Sequence, residues 1–168
     1  MPTARKKSAK SQKQDAPNAI DMLLNDHKSV NGLFRQFEKL HDAEEDTEKV
    51  IDAARIALVI HDALETEIFY PAIRSRADEE QEELLDEAEV EHTSVRQLLG
   101  QLRPGKLDEK KREAHFTVLL EYVRHHVKEE ENELFPKLRK TKGLDMEALG
   151  ERMLKRRTAL QKKFKLAD

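Results

Sequence analysis

Apolar residues recur at every third or fourth position along most of this chain of 168 residues, a spacing that is typical of amphipathic helices. Turn-forming stretches such as Arg103-Pro104-Gly105 interrupt the pattern and divide it into five predicted helices. Short connections between long helices indicate antiparallel neighbours. We therefore predict an all-α fold, an up-down-up-down four-helix bundle with an added C-terminal helix. The predicted helices run from Asn18 to about His41, from about Asp46 to Arg74, from Asp78 to about Leu102, from Asp108 to Gly143 and from Asp145 to Lys165.

Two His-x3-Glu pairs stand within these apolar stripes, on the second and fourth predicted helices. They are His61 with Glu65 and His126 with Glu130. Four residues are about one helical turn, so each pair projects from one face of its helix and could bind the same ion. The first and third helices contribute one stripe histidine each, His27 and His92.

These positions belong to an internal repeat. Residues 26–71 and 91–136 match at a constant offset of 65 positions. At this offset His27 corresponds to His92, and Pro71 corresponds to Pro136. The two His-x3-Glu pairs correspond to each other as well. The repeat indicates two related helical hairpins, each of which supplies half of one site.

The topology predicts that the two halves meet. In an antiparallel bundle, the starts of the first and third helices lie at the same end as the ends of the second and fourth, so the four histidines fall at about one level and point inward. Burying Glu65 and Glu130 there without a cation is costly, or raises their pKa values until they take up protons. A divalent cation removes that cost. We therefore predict a metal site and keep a metal-free polar core as the structural alternative.

The donor types narrow the choice of metal. Imidazole and carboxylate groups suit Fe, Mn or Zn and are poor ligands for Cu(I). Six such ligands are more than one tetrahedral zinc ion uses. Two metals that share bridging carboxylates would use them well, with each hairpin giving two histidines and one glutamate.

Composition limits the function classes further. Charged residues make up 39% of the chain and aromatic residues only 5%, which favours long helices with solvated faces. The absence of cysteine excludes disulfides, iron–sulfur clusters, thiolate zinc sites and cysteine nucleophiles. The formal net charge is −3 although residues 1–16 are basic, so the remaining chain is acidic and no nucleic-acid partner is expected. No apolar stretch approaches the roughly 18 residues of a membrane span, and no signal-peptide core follows the basic start, so we expect a cytoplasmic protein.

The same patterns predict three parts of the chain. Residues 1–17 are rich in Lys, Ala, Ser and Gln and are predicted to form a disordered basic tail. Residues 18–142 are predicted to form the four-helix bundle. Residues 143–168 are predicted to form a C-terminal helix packed on or beside the bundle. A monomer is favoured.

The combined spacing resembles that of hemerythrin-like proteins of the HHE cation-binding family. In that family a His on helix 1, His-x3-Glu on helix 2, a His on helix 3 and His-x3-Glu on helix 4 surround the metal site, and the resemblance covers about residues 20–140. It implies a non-haem di-iron centre with an oxo or hydroxo bridge, in which Zn or Mn could substitute. It also implies that the histidines are terminal ligands and that the glutamates are bridges: His27, His61, His92, His126, Glu65 and Glu130.

Two positions depart from the oxygen-carrying hemerythrins. Those proteins place a second His one turn after the helix-3 ligand, where this chain has Arg96. They also place an Asp five residues after the helix-4 His, where this chain has Glu131. The pattern is more similar to the branch that is linked to iron handling, oxygen or nitric-oxide sensing, peroxide reactions and repair of damaged iron centres.

A ferritin-type site is the competing metal interpretation, because Glu38-x2-His41 and Glu89-x2-His92 fit its Glu-x-x-His motif. His41 lies fourteen residues after the helix-1 ligand, however, which is about 21 Å along a helix. It cannot reach the same layer as His92, and this interpretation is set aside.

The polar neighbours of the ligands receive weaker predictions. Tyr122, one turn before the helix-4 ligand, is expected to be a core tyrosine or, alternatively, to hydrogen-bond near the site or act in redox chemistry. Glu67 and Glu131 are expected at the surface, with the orientation of a ligand imidazole as the alternative. Glu91 is a candidate for such an orienting role beside His92.

Three functions remain open. The leading hypothesis is a di-iron binding protein that senses or handles O2, NO, peroxide or iron through open coordination positions. The second is a di-iron enzyme, for example one that decomposes peroxide or repairs damaged iron centres, although no dedicated acid–base pair or substrate pocket is evident. The third is a structural bundle without a physiological metal.

Overall fold

The computed structural model describes residues 17–165, in which five helices and no strand are found. The all-α prediction is confirmed. Residues 1–16 of the tail predicted at residues 1–17, and the last three residues of the chain, lie outside the described range. No helix within that range is long and apolar enough to cross a membrane. The helices are α1 (Ala19–Asp42), α2 (residues 48–74), α3 (Glu79–Gln101), α4 (residues 109–138) and α5 (Met146–Lys165).

Side-chain caps start three of the helices where the sequence predicts. The Asn18 side chain accepts hydrogen bonds from the first backbone N–H groups of α1, and Asp78 forms a capping box with Gln81 at the start of α3. The Asp108 side chain accepts a hydrogen bond from the backbone N–H of Lys111 at the start of α4. The predicted end of α4 at Gly143 is wrong, because the helix ends five residues earlier. Gly143 lies in the turn before α5 with a φ of +83°, a conformation that glycine adopts without strain.

Two helices each contain one π-helical turn, α2 at Glu65–Phe69 and α4 at Glu130–Leu134. Each turn begins at a predicted glutamate ligand and lies just before a proline, Pro71 or Pro136. Proline has no N–H to donate, and its ring clashes with a carbonyl one turn earlier. The wider π turn accommodates the proline without ending the helix. The two turns are related by the same offset of 65 residues as the sequence repeat.

Cross-helix ion pairs show that α1 and α4 are antiparallel. Between α1 and α4, the start of one pairs with the end of the other through Asp21 and Arg139, while Glu38 pairs with Arg124 further along. Helix α5 runs parallel to α1 and packs against α1 and α2. It approaches so closely at Gly150 that a Cβ atom there would lie 1.6 Å from the carbonyl oxygen of Pro17.

The core consists of two apolar clusters separated by a polar layer. One cluster, with Phe69 and Phe135 at its centre, also contains the buried face of α5. The other lies toward the opposite end of the bundle and contains Phe34, Phe37 and Phe116. The four stripe histidines lie between the two clusters, so the fold encloses them with apolar packing on both sides.

Candidate metal centre

The structure brings all six predicted site residues into one buried layer. One histidine comes from each of α1 to α4, and the two glutamates come from the first residues of the two π turns. Glu65 is fully buried and Glu130 is 2% exposed, values that are exceptional for an ionisable side chain without a partner. All six belong to clusters whose donor atoms lie within 4.8 Å of one another: His27, His61, Glu65, His92, His126 and Glu130.

Each glutamate joins the two halves of the repeat. One oxygen of Glu65 lies 3.1 Å from Nε2 of His61, and the other lies 3.2 Å from Nε2 of His92. In Glu130 a single oxygen faces both histidines, since Oε2 lies 3.5 Å from Nε2 of His126 and 3.2 Å from Nε2 of His27. Both carboxylates therefore span a histidine of their own helix and a histidine of the other hairpin, which is the arrangement that a bridging ligand requires.

The donor atoms fit a metal better than they fit each other. Among the described residues, no hydrogen-bond partner satisfies Nε2 of His27, Nε2 of His61, either oxygen of Glu65 or Oε2 of Glu130. They face one another at close range, but their angles are not those of hydrogen bonds. Two ligand atoms that bind one metal ion at about 2.1 Å lie roughly 3 to 3.4 Å apart. The observed separations match that geometry, and unpartnered buried polar atoms are otherwise costly.

A ring of four carboxylates orients the four imidazoles. The Nδ1 atom of each histidine contacts a carboxylate on a neighbouring helix. A carboxylate of α1 contacts the histidine of α2, one of α2 the histidine of α3, one of α3 the histidine of α4 and one of α4 the histidine of α1. The carboxylate holds the proton on Nδ1 and leaves the Nε2 lone pair directed at the centre. The pairs are His61 with Asp26 at 3.3 Å, His92 with Asp62 at 2.7 Å, His126 with Glu91 at 2.7 Å and His27 with Glu131 at 2.9 Å.

Two arginines bind this ring from outside. Arg96 donates to Oδ1 of Asp62 at 2.9 Å, and Arg157 of α5 donates to Oδ2 of Asp26 at 2.6 Å. Six carboxylates and two guanidinium groups around neutral imidazoles leave four negative charges. Two divalent cations would neutralise them, whereas an empty, fully ionised centre would be strongly disfavoured at such burial.

Tyr70 is a site residue that the sequence analysis missed. Its buried hydroxyl donates to Oε1 of Glu130 at 2.8 Å and lies 3.0 Å from Nε2 of His92. The equivalent residue in the second hairpin is Phe135, whose ring stacks on His27 with centroids 5.8 Å apart. The repeat itself carries the signal, since Tyr70 and Phe135 precede the two matched prolines. The prediction that Tyr122 lies in the core or near the site is wrong: it is 47% exposed, because it faces away from the stripe that carries the helix-4 ligand.

The other polar predictions divide between confirmed and wrong. Glu131 takes the alternative role, because it contacts an imidazole although its side chain is 40% exposed. Glu67 lies at the surface as expected and binds Arg156 with both oxygens. Glu91 does orient an imidazole, but that of the helix-4 ligand and not that of His92, since it reaches across to the next helix. Asp62, which the sequence analysis did not consider, occupies the expected place beside His92.

Without a metal, protons would hold this cluster together. Burial disfavours the charged form of His61, but Glu65 and Asp26 outweigh it and raise the pKa of His61 well above its usual range. Burial likewise penalises the Glu65 carboxylate, but His61 and His92 lower its pKa well below the usual range. The pKa of His92 rises to about 9 against the effect of burial, mainly through Asp62 and Glu65. Burial and the nearby Glu130 carboxylate raise the pKa of Tyr70 well above its usual range, so its hydroxyl stays protonated and donates.

A small cavity adjoins the imidazoles on the side of the second apolar cluster. It holds about 20 Å³, which is enough for one water-sized molecule, and apolar side chains such as Val30, Leu58 and Val95 line it beside the four histidines. A wider groove between α1 and α4 borders the same point through His27 and Val123. The cavity and the groove share His27, Val30, Val123 and Val127 in their walls.

Comparison with known proteins gives the family. The model of the hemerythrin HHE cation binding domain matches residues 18–138, well over half of the chain. A DNA nickase of Nostoc sp. (strain PCC 7120) is 30% identical over 130 residues, which are 77% of this chain and 35% of that protein, so the chain spans about a third of this relative's length. No solved structure matches the chain. A buried layer of four histidines and two glutamates in a helical bundle agrees with the family match. The chain belongs to the hemerythrin HHE cation-binding family.

Proposed function

We propose that this protein is a non-haem di-iron protein that senses or handles a small ligand, O2, NO, peroxide or iron itself. The observation that carries the proposal is the layer of imidazole nitrogens and carboxylate oxygens that face one another at 3.1 to 3.5 Å. Within residues 17–165, five of these atoms have no hydrogen-bond partner: Nε2 of His27, Nε2 of His61, both oxygens of Glu65 and Oε2 of Glu130. Such a layer is unfavourable in a bundle core unless a cation occupies it.

The donor set favours two ions of intermediate hardness. His27 and His61 would hold one, His92 and His126 would hold the other, and the two glutamates would bridge them. The four negative charges that remain when two arginines offset six carboxylates match two divalent cations. Iron would supply redox and Lewis-acid chemistry at such a site, and Zn or Mn could bind the same donors.

The space beside the imidazoles favours a ligand of very few atoms. The adjoining cavity of about 20 Å³ would admit a diatomic gas or peroxide and would exclude an organic substrate. Its walls are largely apolar, which favours O2 or NO over a strongly hydrated ion.

Metal content of the anaerobically reconstituted protein is the direct test, followed by its visible spectrum in air. We expect two irons per chain and absorption typical of an oxo-bridged ferric pair. A folded helical protein that retains no iron, manganese or zinc would contradict the proposal and would favour the structural bundle.

A di-iron enzyme is the second candidate, and the place of Tyr70 favours it. A buried phenol that donates to Glu130 beside the cavity could move a proton to or from a small ligand. Sustained decomposition of hydrogen peroxide by the iron-loaded protein, lost in Tyr70→Phe, would support this candidate. Stoichiometric binding without turnover would support the sensor.

We further propose a cytoplasmic monomer whose partner is the small ligand and not a nucleic acid. The acidic composition of the chain beyond residue 16 supports this, since most DNA-binding surfaces are basic. The name of the Nostoc relative describes a protein of which the matched segment is only 35%. Incubation of the iron-loaded protein with supercoiled plasmid tests the point, and accumulation of nicked circles would contradict it.

A further inference from the structure

Helix α5 lies beyond the family match, which ends at residue 138, and yet it reaches the candidate metal centre. The guanidinium of Arg157 donates to Oδ2 of Asp26 at 2.6 Å. The same oxygen accepts from Nδ1 of His61 at 3.3 Å. A continuous polar chain therefore runs from α5 through a carboxylate of α1 to an imidazole of α2 whose other nitrogen faces Glu65. We call Arg157, Asp26 and His61 the relay.

We propose that Arg157 is a positioning residue which sets the redox potential of the iron on the His27 and His61 side. The inference rests on the di-iron function proposed above. Through Arg157, the docking of α5 on the bundle would affect the redox potential of the metal centre.

Electrostatics gives the direction of the effect. A carboxylate that accepts the Nδ1 proton of a ligand histidine increases the electron donation of that imidazole, which favours the ferric state. The Arg157 guanidinium withdraws electron density from this carboxylate and adds a positive charge near the site, and both effects favour the ferrous state. Both Asp26 and Arg157 are about one-fifth exposed, so solvent screens the pair only partly.

The distances within the relay show how the Asp26 carboxylate is shared between Arg157 and His61. The contact from Arg157 to Asp26 is the short one, and the contact from Asp26 to His61 is the longest of the four imidazole–carboxylate contacts. The other three lie between 2.7 and 2.9 Å. The Asp26 oxygen is therefore bound more closely by Arg157 than by His61, whereas Oδ1 of Asp62 lies closer to His92, at 2.7 Å, than to Arg96, at 2.9 Å.

In the described part of the chain, no arginine of α5 binds the equivalent carboxylate of the second hairpin. Glu91 corresponds to Asp26, but its neighbour is the exposed His125 at 3.5 Å and not an arginine of α5. The arginine of the other half, Arg96, comes from α3 within the bundle and binds Asp62. Tuning from α5 is therefore specific to one side of the centre.

The chain supplies a matched control beside the residue of interest. Arg156 also fastens α5 to the bundle, through two hydrogen bonds of 2.7 and 2.9 Å to Glu67. Glu67 contacts none of the six candidate ligands at hydrogen-bond distance within the described part of the chain. Arg156→Gln therefore removes an anchor of α5 without touching the relay, whereas Arg157→Gln removes both an anchor and the relay.

The experiment is a redox titration of the full-length, iron-loaded protein, followed by visible absorption, with iron content and helix content measured on each sample. We expect Arg157→Gln to shift the midpoint to a more negative potential, and Arg156→Gln and Arg157→Lys to leave it near that of the unsubstituted protein. Asp26→Asn should shift it in the opposite direction, because it removes the negative charge, and should weaken iron binding by roughly 10- to 100-fold.

The outcomes separate the two proposals. Absence of a redox-active iron chromophore in the unsubstituted protein defeats the proposed function, and this inference with it. Two irons with equal potentials in the Arg156→Gln and Arg157→Gln proteins defeat this inference alone. If Arg157→Gln detaches α5, the Asp26→Asn protein decides, since a midpoint that fails to rise there contradicts the relay.

Discussion

The two hairpins of the bundle, residues 26–71 and 91–136, repeat each other closely but surround the metal centre differently. They share the stripe histidine, the His-x3-Glu pair, the π turn and the proline. They differ in the residue before that proline, Tyr70 in one and Phe135 in the other. They differ also in the source of the carboxylate that orients the first histidine of each half, Glu131 for His27 and Asp62 for His92. The shared features form the ligand set, and the differences make its two sides chemically unequal.

The largest effect should come from a feature that the halves share. Glu65→Ala removes a carboxylate that lies at 3.1 and 3.2 Å from histidines of both hairpins. We therefore expect iron content to fall from two per chain to nearly none, as measured by metal analysis after reconstitution. Glu67→Ala, two residues away and at the surface, is the control and should retain both irons. Loss of only one iron in Glu65→Ala would show that the halves bind metal independently.

Protonation should distinguish the metal-free protein from the loaded one, and should act on both halves. In the metal-free protein the pKa of His92 is raised to about 9, and the pKa values of His61 and His126 are raised as well, by neighbouring carboxylates against the effect of burial. A raised pKa means that the folded state holds protons which the unfolded state releases. This stabilisation is complete below the usual histidine pKa of about 6.5 and is lost as the pH rises through about 9.

Urea unfolding at pH 6 and at pH 9.5 measures this loss. We expect the metal-free protein to lose at most a few kcal/mol of unfolding free energy between the two values, since one pKa unit is worth about 1.4 kcal/mol. The iron-loaded protein should lose much less, because the metal replaces the protons. Equal pH dependence with and without iron would argue against these histidines as ligands.

The tyrosine sharpens the comparison between the halves. Tyr70→Phe makes the first hairpin like the second and leaves Oε1 of Glu130 buried without its donor. We expect a cost of about 1–3 kcal/mol in the metal-free protein, measured by urea unfolding. The visible spectrum of the iron-loaded protein should change as well. The exposed Tyr122→Phe is the control and should change neither quantity.

The converse substitution, Phe135→Tyr, tests whether the phenol is interchangeable between the halves. The double variant Tyr70→Phe with Phe135→Tyr moves the hydroxyl to the side of His27, where the Phe135 ring now stacks on the imidazole. A spectrum identical to that of the unsubstituted protein would mean that the two sides are equivalent. We expect a different spectrum, because the Tyr70 hydroxyl contacts His92 and Glu130 and a hydroxyl at position 135 would lie on the side of His27 instead.

Much of this architecture could be predicted from the sequence because it depends on periodic or repeated positions. Helical spacing placed the four histidines on inward faces, and the repeat related the two His-x3-Glu pairs. The orienting carboxylates were harder to predict, because their partners depend on which helix lies beside which. Asp62 and Glu131 lie on helices at places that the repeat does not relate, and only the packed bundle brings each to its imidazole. Tyr122 was expected in the core or, alternatively, near the site because of its position one turn before the helix-4 ligand, but it is 47% exposed.

The smallest effect should come from the two carboxylates that break the repeat. Asp62 is 15% exposed and binds both His92 and Arg96, while the Glu131 side chain is 40% exposed and contacts only His27 among these partners. Solvent can replace an exposed acceptor more easily than a buried one, so Asp62→Asn should lower iron affinity more than Glu131→Gln does. Changes to such orienting groups typically cost 10- to 100-fold in metal affinity, and we expect Asp62→Asn within that range and Glu131→Gln at about its lower end. Competition with a chelator measures both. A larger effect for Glu131→Gln would mean that the α1–α4 side, with its open groove, governs metal retention, and that exposure is a poor guide to the strength of these contacts.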